Sequence, residues 1–171
     1  MKLMKSFTFQ IHTDTITEEI ELFFELYTDG SSTGKVGEGG WAYVLLKSGV
    51  VLLEQYGGED NTTNNRMELM GAIEGLRELY RAHGSNSDIT VYSDSQYVVK
   101  GIMEWFPKWQ EEINRGKEIK NQDLWIALND LFQSFSSIKF KWVEGHAGIE
   151  HNERCDYLAK KGKLEIKQMR K

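Results

Sequence analysis

The chain has 171 residues, a formal net charge of −5, 40% hydrophobic and 27% charged residues. That length holds one domain with a real core, and the balance of apolar, aromatic and charged residues excludes a disordered or fibrous chain. A single cysteine, Cys155, excludes an internal disulfide, which suits a reducing, cytoplasmic setting, and no unbroken apolar run has the length of a signal-peptide core or a membrane span.

In chain order, Phe7, Phe9 and Ile11 alternate within residues 1–20, a pattern that reads as an added strand or hairpin stabilising the body of the domain. Residues 21–30, "ELFFELYTDG", form an apolar, β-rich run stopped by Asp-Gly, a buried strand. Residues 40–56 hold two such runs joined by Lys47, Ser48 and Gly49, a hairpin. In "TTNNRMELMGAIEGL" the apolar positions Leu69, Ile73, Leu76 and Tyr80 repeat at helical spacing, and Gly84 ends that helix. Asn65 with Glu68 matches an N-terminal capping box.

A short strand at 89–93 leads into a helix beginning at Asp94, and Pro107 is expected to bend the helical pattern that follows. Leu124, Leu128, Leu131 and Phe135 mark a further amphipathic helix, and "IKFKWV" at 138–143 alternates as a strand. A last helix carries "EHNERCDYLAKKG" and is expected to stop at Gly162, leaving 163–171 as a basic, fraying tail. The outline is an α/β layer structure, three strands followed by alternating helices and strands. Trp41 and Trp142 are expected in the core.

Asp29 and Asp94 fall at strand ends, Glu68 at the opening of a helix and Asp156 within the last helix. Taken singly, each has a structural reading as a cap, a turn residue or a solvent-facing charge. Side chains at strand ends and helix starts on one edge of an α/β sheet can also converge. Four converging carboxylates repel unless cations neutralise them, and hard, oxygen-loving Mg²⁺ or Mn²⁺ is the natural occupant. Such a cluster would absorb most of the net negative charge, so an acidic chain is still compatible with a polyanionic partner.

The blocks "YTDGSS", "TTNNRMELMGAI", "SDSQYV" and "WVEGHAGIEHNERCDYLA" occur in this order and at suitable intervals, and together they resemble ribonuclease HI, the bacterial-type ribonuclease H family. The likeness spans roughly residues 22–161, within a domain placed at 21–162. It implies a ribonuclease H-like fold, a five-stranded mixed sheet with helices on both faces; the N-terminal extension, which departs from the family, is expected from its own alternation to add a strand. It implies endonucleolytic hydrolysis of the RNA strand of an RNA–DNA hybrid, leaving 5′-phosphate and 3′-hydroxyl ends. Asp29, Glu68, Asp94 and Asp156 would be the catalytic carboxylates holding two Mg²⁺ ions, with Mn²⁺ as a substitute and His146 beside them. Gly30, Ser31, Asn64, Asn65 and Gln96 would contact the groove, Thr63 a DNA phosphate, and Trp105 the DNA strand.

Two departures stand out. Residues 110–123, where the well-known bacterial enzymes carry a strongly basic protrusion, dilute Arg115, Lys117 and Lys120 with Glu111, Glu112 and Glu118, so a weaker, less salt-dependent grip is expected. Lys35 stands where the family usually has an asparagine, and is expected to supply a replacement phosphate contact. The rival readings are a hybrid-binding module without catalysis and another nuclease on the same scaffold; the first is disfavoured because all four acids and His146 are present, the second by "TTNNRMEL" and "GHAG". A monomer and no membrane partner are expected.

Overall fold

The computed structural model describes residues 23–170; the strand expected within residues 1–20 lies outside them. The elements are β1 (Phe23–Ser32), β2 (Gly37–Lys47), β3 (Val50–Thr62), α1 (Asn64–His83), β4 (Asp88–Ser93), α2 (Gln96–Lys100), α3 (Phe106–Asn114), α4 (Gln122–Ser134), β5 (Ser137–Trp142) and α5 (Glu150–Met169). A five-stranded sheet in the order β3-β2-β1-β4-β5 joins them. β1 and β2, and β2 and β3, pair antiparallel, whereas β4 runs parallel to both β1 and β5. The mixed sheet therefore agrees with the expectation.

Period-two alternation in β2 sends its two sets of apolar side chains to opposite faces. Tyr43 and Leu45 join Leu69, Ile73 and Leu76 of α1 and Trp125 and Leu128 of α4 in the larger core. Ala42, Val44 and Leu46 face Cys155, Leu158 and Ala159 of α5 in the smaller one. Helices thus cover both faces. The fully buried Trp125 donates its indole N–H to Tyr97 Oη at 3.0 Å, which satisfies the one polar group it brings into the core.

Several boundaries differ from the sequence reading. β1 does not stop at Asp29-Gly30 but continues to Ser32, with Gly30 opposite Trp41. The β2–β3 turn is Ser48-Gly49 alone, both at positive φ (49° and 78°), so Lys47 is still strand. That is the geometry that matches the right-handed twist of a two-residue hairpin. The cap of α1 is Thr63, not Asn65: Thr63 is extended, and its Oγ1 accepts from the Arg66 N–H at 3.3 Å. Tyr80 of α1 is half exposed.

Ser95 caps α2, so Asp94 lies outside the helix. Pro107 sits in the first turn of α3, which continues from α2 without a break, and the irregularity falls just before it as a π-helical turn over Gly101–Trp105. Trp142 is 48% exposed, because β5 is an edge strand that buries only Phe140 well. α5 runs through Gly162 to Met169 rather than stopping. A Cβ on Gly162 would lie 2.3 Å from the Gly57 carbonyl oxygen, so glycine here permits close packing of α5 on β3. Residues 163–169 are therefore helix, and Arg170 is tied to Glu38 at 2.8 Å and Asp60 at 3.1 Å.

Candidate active site

β1 and β4 are parallel neighbours, so their carboxyl ends open on the same edge of the sheet, the edge at which α/β folds place ligands. Asp29 lies near the end of β1 and Asp94 follows the last residue of β4. Glu68, the fifth residue of α1, arrives from above the sheet. What lets it come so close is Gly30, where a Cβ would sit 2.2 Å from the Glu68 backbone nitrogen. Asp-Gly here serves helix–strand contact rather than a turn.

Asp29, Glu68 and Asp94 each offer a carboxylate oxygen, and the three oxygens lie within 4.8 Å of one another. Asp29 and Glu68 are buried, 5% and 6% exposed. Burial, reinforced by the charge of Asp94, pushes Asp29 up from 3.8 to about 7, against the pull of the Gly30 N–H that bonds its Oδ1 at 2.7 Å. Burial, together with Asp29 and Asp94, holds Glu68 well above the ordinary glutamate range. Asn64 Nδ2 donates to Glu68 Oε1 at 3.3 Å, but Glu68 Oε2 is buried with no hydrogen-bond partner. A cluster of hard oxygens, short of counter-charge and with one orphaned acceptor, fits a divalent cation of the Mg²⁺ or Mn²⁺ type.

Asp156 is not in that three-oxygen set. It lies on α5, half-buried, and Lys160 Nζ donates to its Oδ2 at 2.6 Å. Its negative charge adds a smaller upward push on Asp29. His146 is exposed on the loop between β5 and α5, in the left-handed region at φ 57°. That loop touches the cluster, since a Cβ on its neighbour Gly145 would lie 2.9 Å from Asp94 Oδ2.

Of the remaining candidates, Gly30 and Ser31 continue β1 beyond Asp29. Lys35 is exposed on the β1–β2 loop. Thr63, Asn64 and Asn65 form the start of α1, and Gln96 is the exposed first residue of α2. Trp105 is half-buried on the π-helical turn, its ring 5.7 Å from that of Trp109, which in turn packs edge-on against Trp125 at 5.2 Å. That leaves Trp105 as the outermost of three rings leading out from the core.

Three contributors escaped the sequence reading. Asn152, 2% exposed, donates Nδ2 to Asp94 Oδ2 at 3.1 Å. Trp142 donates its indole N–H to the Asp94 carbonyl at 2.9 Å, which is why this tryptophan stays at the edge instead of the core. Lys163 Nζ donates to Ser31 Oγ at 2.8 Å. The available signal was spacing: Asn152, Asp156, Lys160 and Lys163 follow the four- and three-residue intervals that align side chains along one face of a helix.

The sequence profile of the RNase H family matches residues 23–163. The chain is 47% identical over 149 residues to a ribonuclease H of Pseudomonas syringae pv. syringae (strain B728a), covering 85% of this chain and 95% of that protein. Its fold is similar to the N-terminal RNase H domain of a Mycobacterium tuberculosis protein solved as a fusion with maltose binding protein (TM-score 0.71, 24% identity, 88% of this chain and 99% of that one). It is similar also to LC11-RNase H1, solved in complex with an RNA/DNA hybrid (TM-score 0.63, 20% identity, 84% of this chain and 98% of that one).

Proposed function

The chain belongs to the ribonuclease H family, and from that premise we propose that it hydrolyses the RNA strand of RNA–DNA hybrids endonucleolytically, leaving 5′-phosphate and 3′-hydroxyl ends. The observation that carries this reading is the meeting of Asp29, Glu68 and Asp94 within 4.8 Å at the sheet edge, with a buried Glu68 oxygen left unpartnered. Asp29, Glu68 and Asp94 would hold one Mg²⁺ ion and Asp29 with Asp156 a second, Mn²⁺ being a competent substitute. When bound, such ions supply Lewis-acid stabilisation of the charge that develops on the attacking and leaving oxygens of a phosphodiester.

The chain's own groups bind, orient and move protons. Asn152 and Trp142 fix Asp94 from its side chain and its carbonyl, so that the carboxylate needs no reorientation when a cation arrives. His146, carried on an exposed loop between Gly145 and Gly148, takes a proton on its imidazole at the open side of the edge and returns it to the product. The 2′-hydroxyl is what distinguishes RNA from DNA, and Gly30, Ser31, Asn64, Asn65 and Gln96 supply the donors and acceptors to read it. Thr63 Oγ1 already accepts from the Arg66 N–H, which leaves its own O–H free to donate to a phosphate. Lys35 adds an exposed cation on the loop before Gly37, the residue that pairs with Thr62 next to the cap, and Trp105 a stacking surface for the DNA strand.

The substrate follows from incubation of labelled RNA–DNA hybrid, duplex DNA and duplex RNA with the protein and with Asp94→Asn, in Mg²⁺, Mn²⁺ and chelator. Cleavage confined to the RNA strand of the hybrid, dependent on metal and on Asp94, is expected. Tight binding of hybrid with no cutting under any condition would replace the nuclease with a binding module.

A further inference from the structure

Lys163 of α5 directs its ammonium at a neutral partner. It donates to Ser31 Oγ at 2.8 Å, whereas Lys160 and Arg170, at helical intervals from it, meet carboxylates: Asp156 for the first, Glu38 and Asp60 for the second. Among the described residues Lys163 forms no ion pair.

The backbone fixes where this ammonium can go. Gly40 pairs with Ser31 across β1 and β2, and a Cβ on Gly40 would run into the Lys163 backbone nitrogen. α5 therefore lies directly on the sheet beside Ser31, and the half-buried Lys163 side chain has a short path to that hydroxyl. Ser31 itself stands two residues beyond Asp29, on the same face of β1 and about 7 Å further along it.

An ammonium has three donors and no acceptor, and a serine hydroxyl has one donor and two lone pairs. With Lys163 donating to Oγ, the Ser31 O–H cannot return the bond and must point elsewhere. Among the described residues no acceptor takes that hydrogen. The positive charge beside the oxygen also polarises the O–H into a stronger donor. A ribose 2′-oxygen at the carboxylate edge is an acceptor of the kind this hydrogen lacks, and deoxyribose has none.

We propose that Lys163 is a positioning residue that commits the Ser31 hydroxyl to donating to the 2′-oxygen of a ribose next to the scissile phosphate. The inference rests on the hydrolysis of the hybrid's RNA strand proposed above. A net hydrogen bond of this kind corresponds to about two- to tenfold in an equilibrium constant, which sets the size of the expected effect.

Hybrids whose RNA strand carries one 2′-deoxynucleotide, moved one position at a time past the cut site, test this with the full chain. The variants are Lys163→Met, Ser31→Ala and the two combined. In kcat/KM the wild type is expected to lose about two- to tenfold at one nucleotide relative to the all-RNA strand. Lys163→Met and Ser31→Ala should each remove that penalty, and the double variant should do no more than either alone. A penalty that persists in either single variant, or that the wild type does not show, overturns the proposal. That includes a Lys163→Met protein that only melts lower, or that binds every hybrid more weakly with a shallower salt slope as loss of a plain phosphate contact would give. A wild type that cuts no hybrid at all refutes the hydrolytic reading instead, and the inference with it.

Discussion

Replacing Asp29 by asparagine should stabilise the metal-free protein, and the effect should depend on pH. Asp29 is 5% exposed and is pushed from 3.8 to about 7, chiefly by burial and then by Asp94. Because the folded value lies above the unfolded one, the metal-free fold keeps a proton that the unfolded chain releases. The associated stability is fully present below about pH 4 and is lost as pH rises toward 7, where the loss levels off. At about 1.36 kcal/mol per pH unit the gap corresponds to about 4 kcal/mol as an upper bound. Asparagine preserves the side-chain oxygen that accepts from the Gly30 N–H, yet its amide must also be buried, which returns part of the gain. A net stabilisation of about 2 kcal/mol at pH 8 should raise Tm by roughly 4–8 °C in a chain of this size. Thermal melts of wild type and Asp29→Asn in chelator at pH 8 and pH 4.5 measure it, with the advantage of asparagine expected to be lost at the lower pH. Excess Mg²⁺ should close the gap at pH 8 by stabilising only the wild type. An Asp29→Asn protein less stable than wild type at pH 8 would refute the reasoning, since a buried, crowded charge would then not be what weakens the metal-free fold at this edge.

Three further outcomes are expected. His146→Ala, on an exposed loop, should leave Tm within the narrow range of ordinary surface changes and lower kcat on the hybrid by about 10²-fold with KM unchanged, read from steady-state kinetics. Gly162→Ala should lose at least about 2 kcal/mol in urea unfolding, because the added Cβ meets the Gly57 carbonyl oxygen at 2.3 Å and backbone must move to admit it. Lys117 is paired with Glu112 at 3.5 Å and Arg115 with Glu111 at 3.6 Å, so Glu112→Gln should free a cation for phosphate and steepen the salt dependence of hybrid binding by about 0.9 in the log–log slope.

Where a residue's chemistry was local, it was legible in the sequence. The alternation of β2, the repeat of Leu69, Ile73 and Leu76, and the Ser48-Gly49 turn follow from period and from backbone preference. Gly30 and Gly162 misled for a shared reason: glycine read as a stop signal, whereas both serve close approach of a helix to a strand, a tertiary fact that no window of sequence contains. Trp142 misled because hydrophobicity does not disclose that β5 is an edge strand or that an indole N–H is needed at the Asp94 carbonyl. The four acids were named by the wording around them. Their geometry was not: Asp156 stands apart from the other three and bonds Lys160, and Asn152 holds Asp94, each visible only once α5 lies against the sheet.

The central claim is that Asp29, Glu68, Asp94 and Asp156 serve divalent cations at one edge of the sheet. Crystals of the protein grown with Mn²⁺ and an uncleaved RNA–DNA hybrid, examined by anomalous scattering, test it directly. Two peaks about 4 Å apart are expected, both against Asp29, one also against Glu68 and Asp94 and the other against Asp156. Manganese bound elsewhere, or a hybrid whose RNA strand passes this edge without approaching Asp29, would contradict the account.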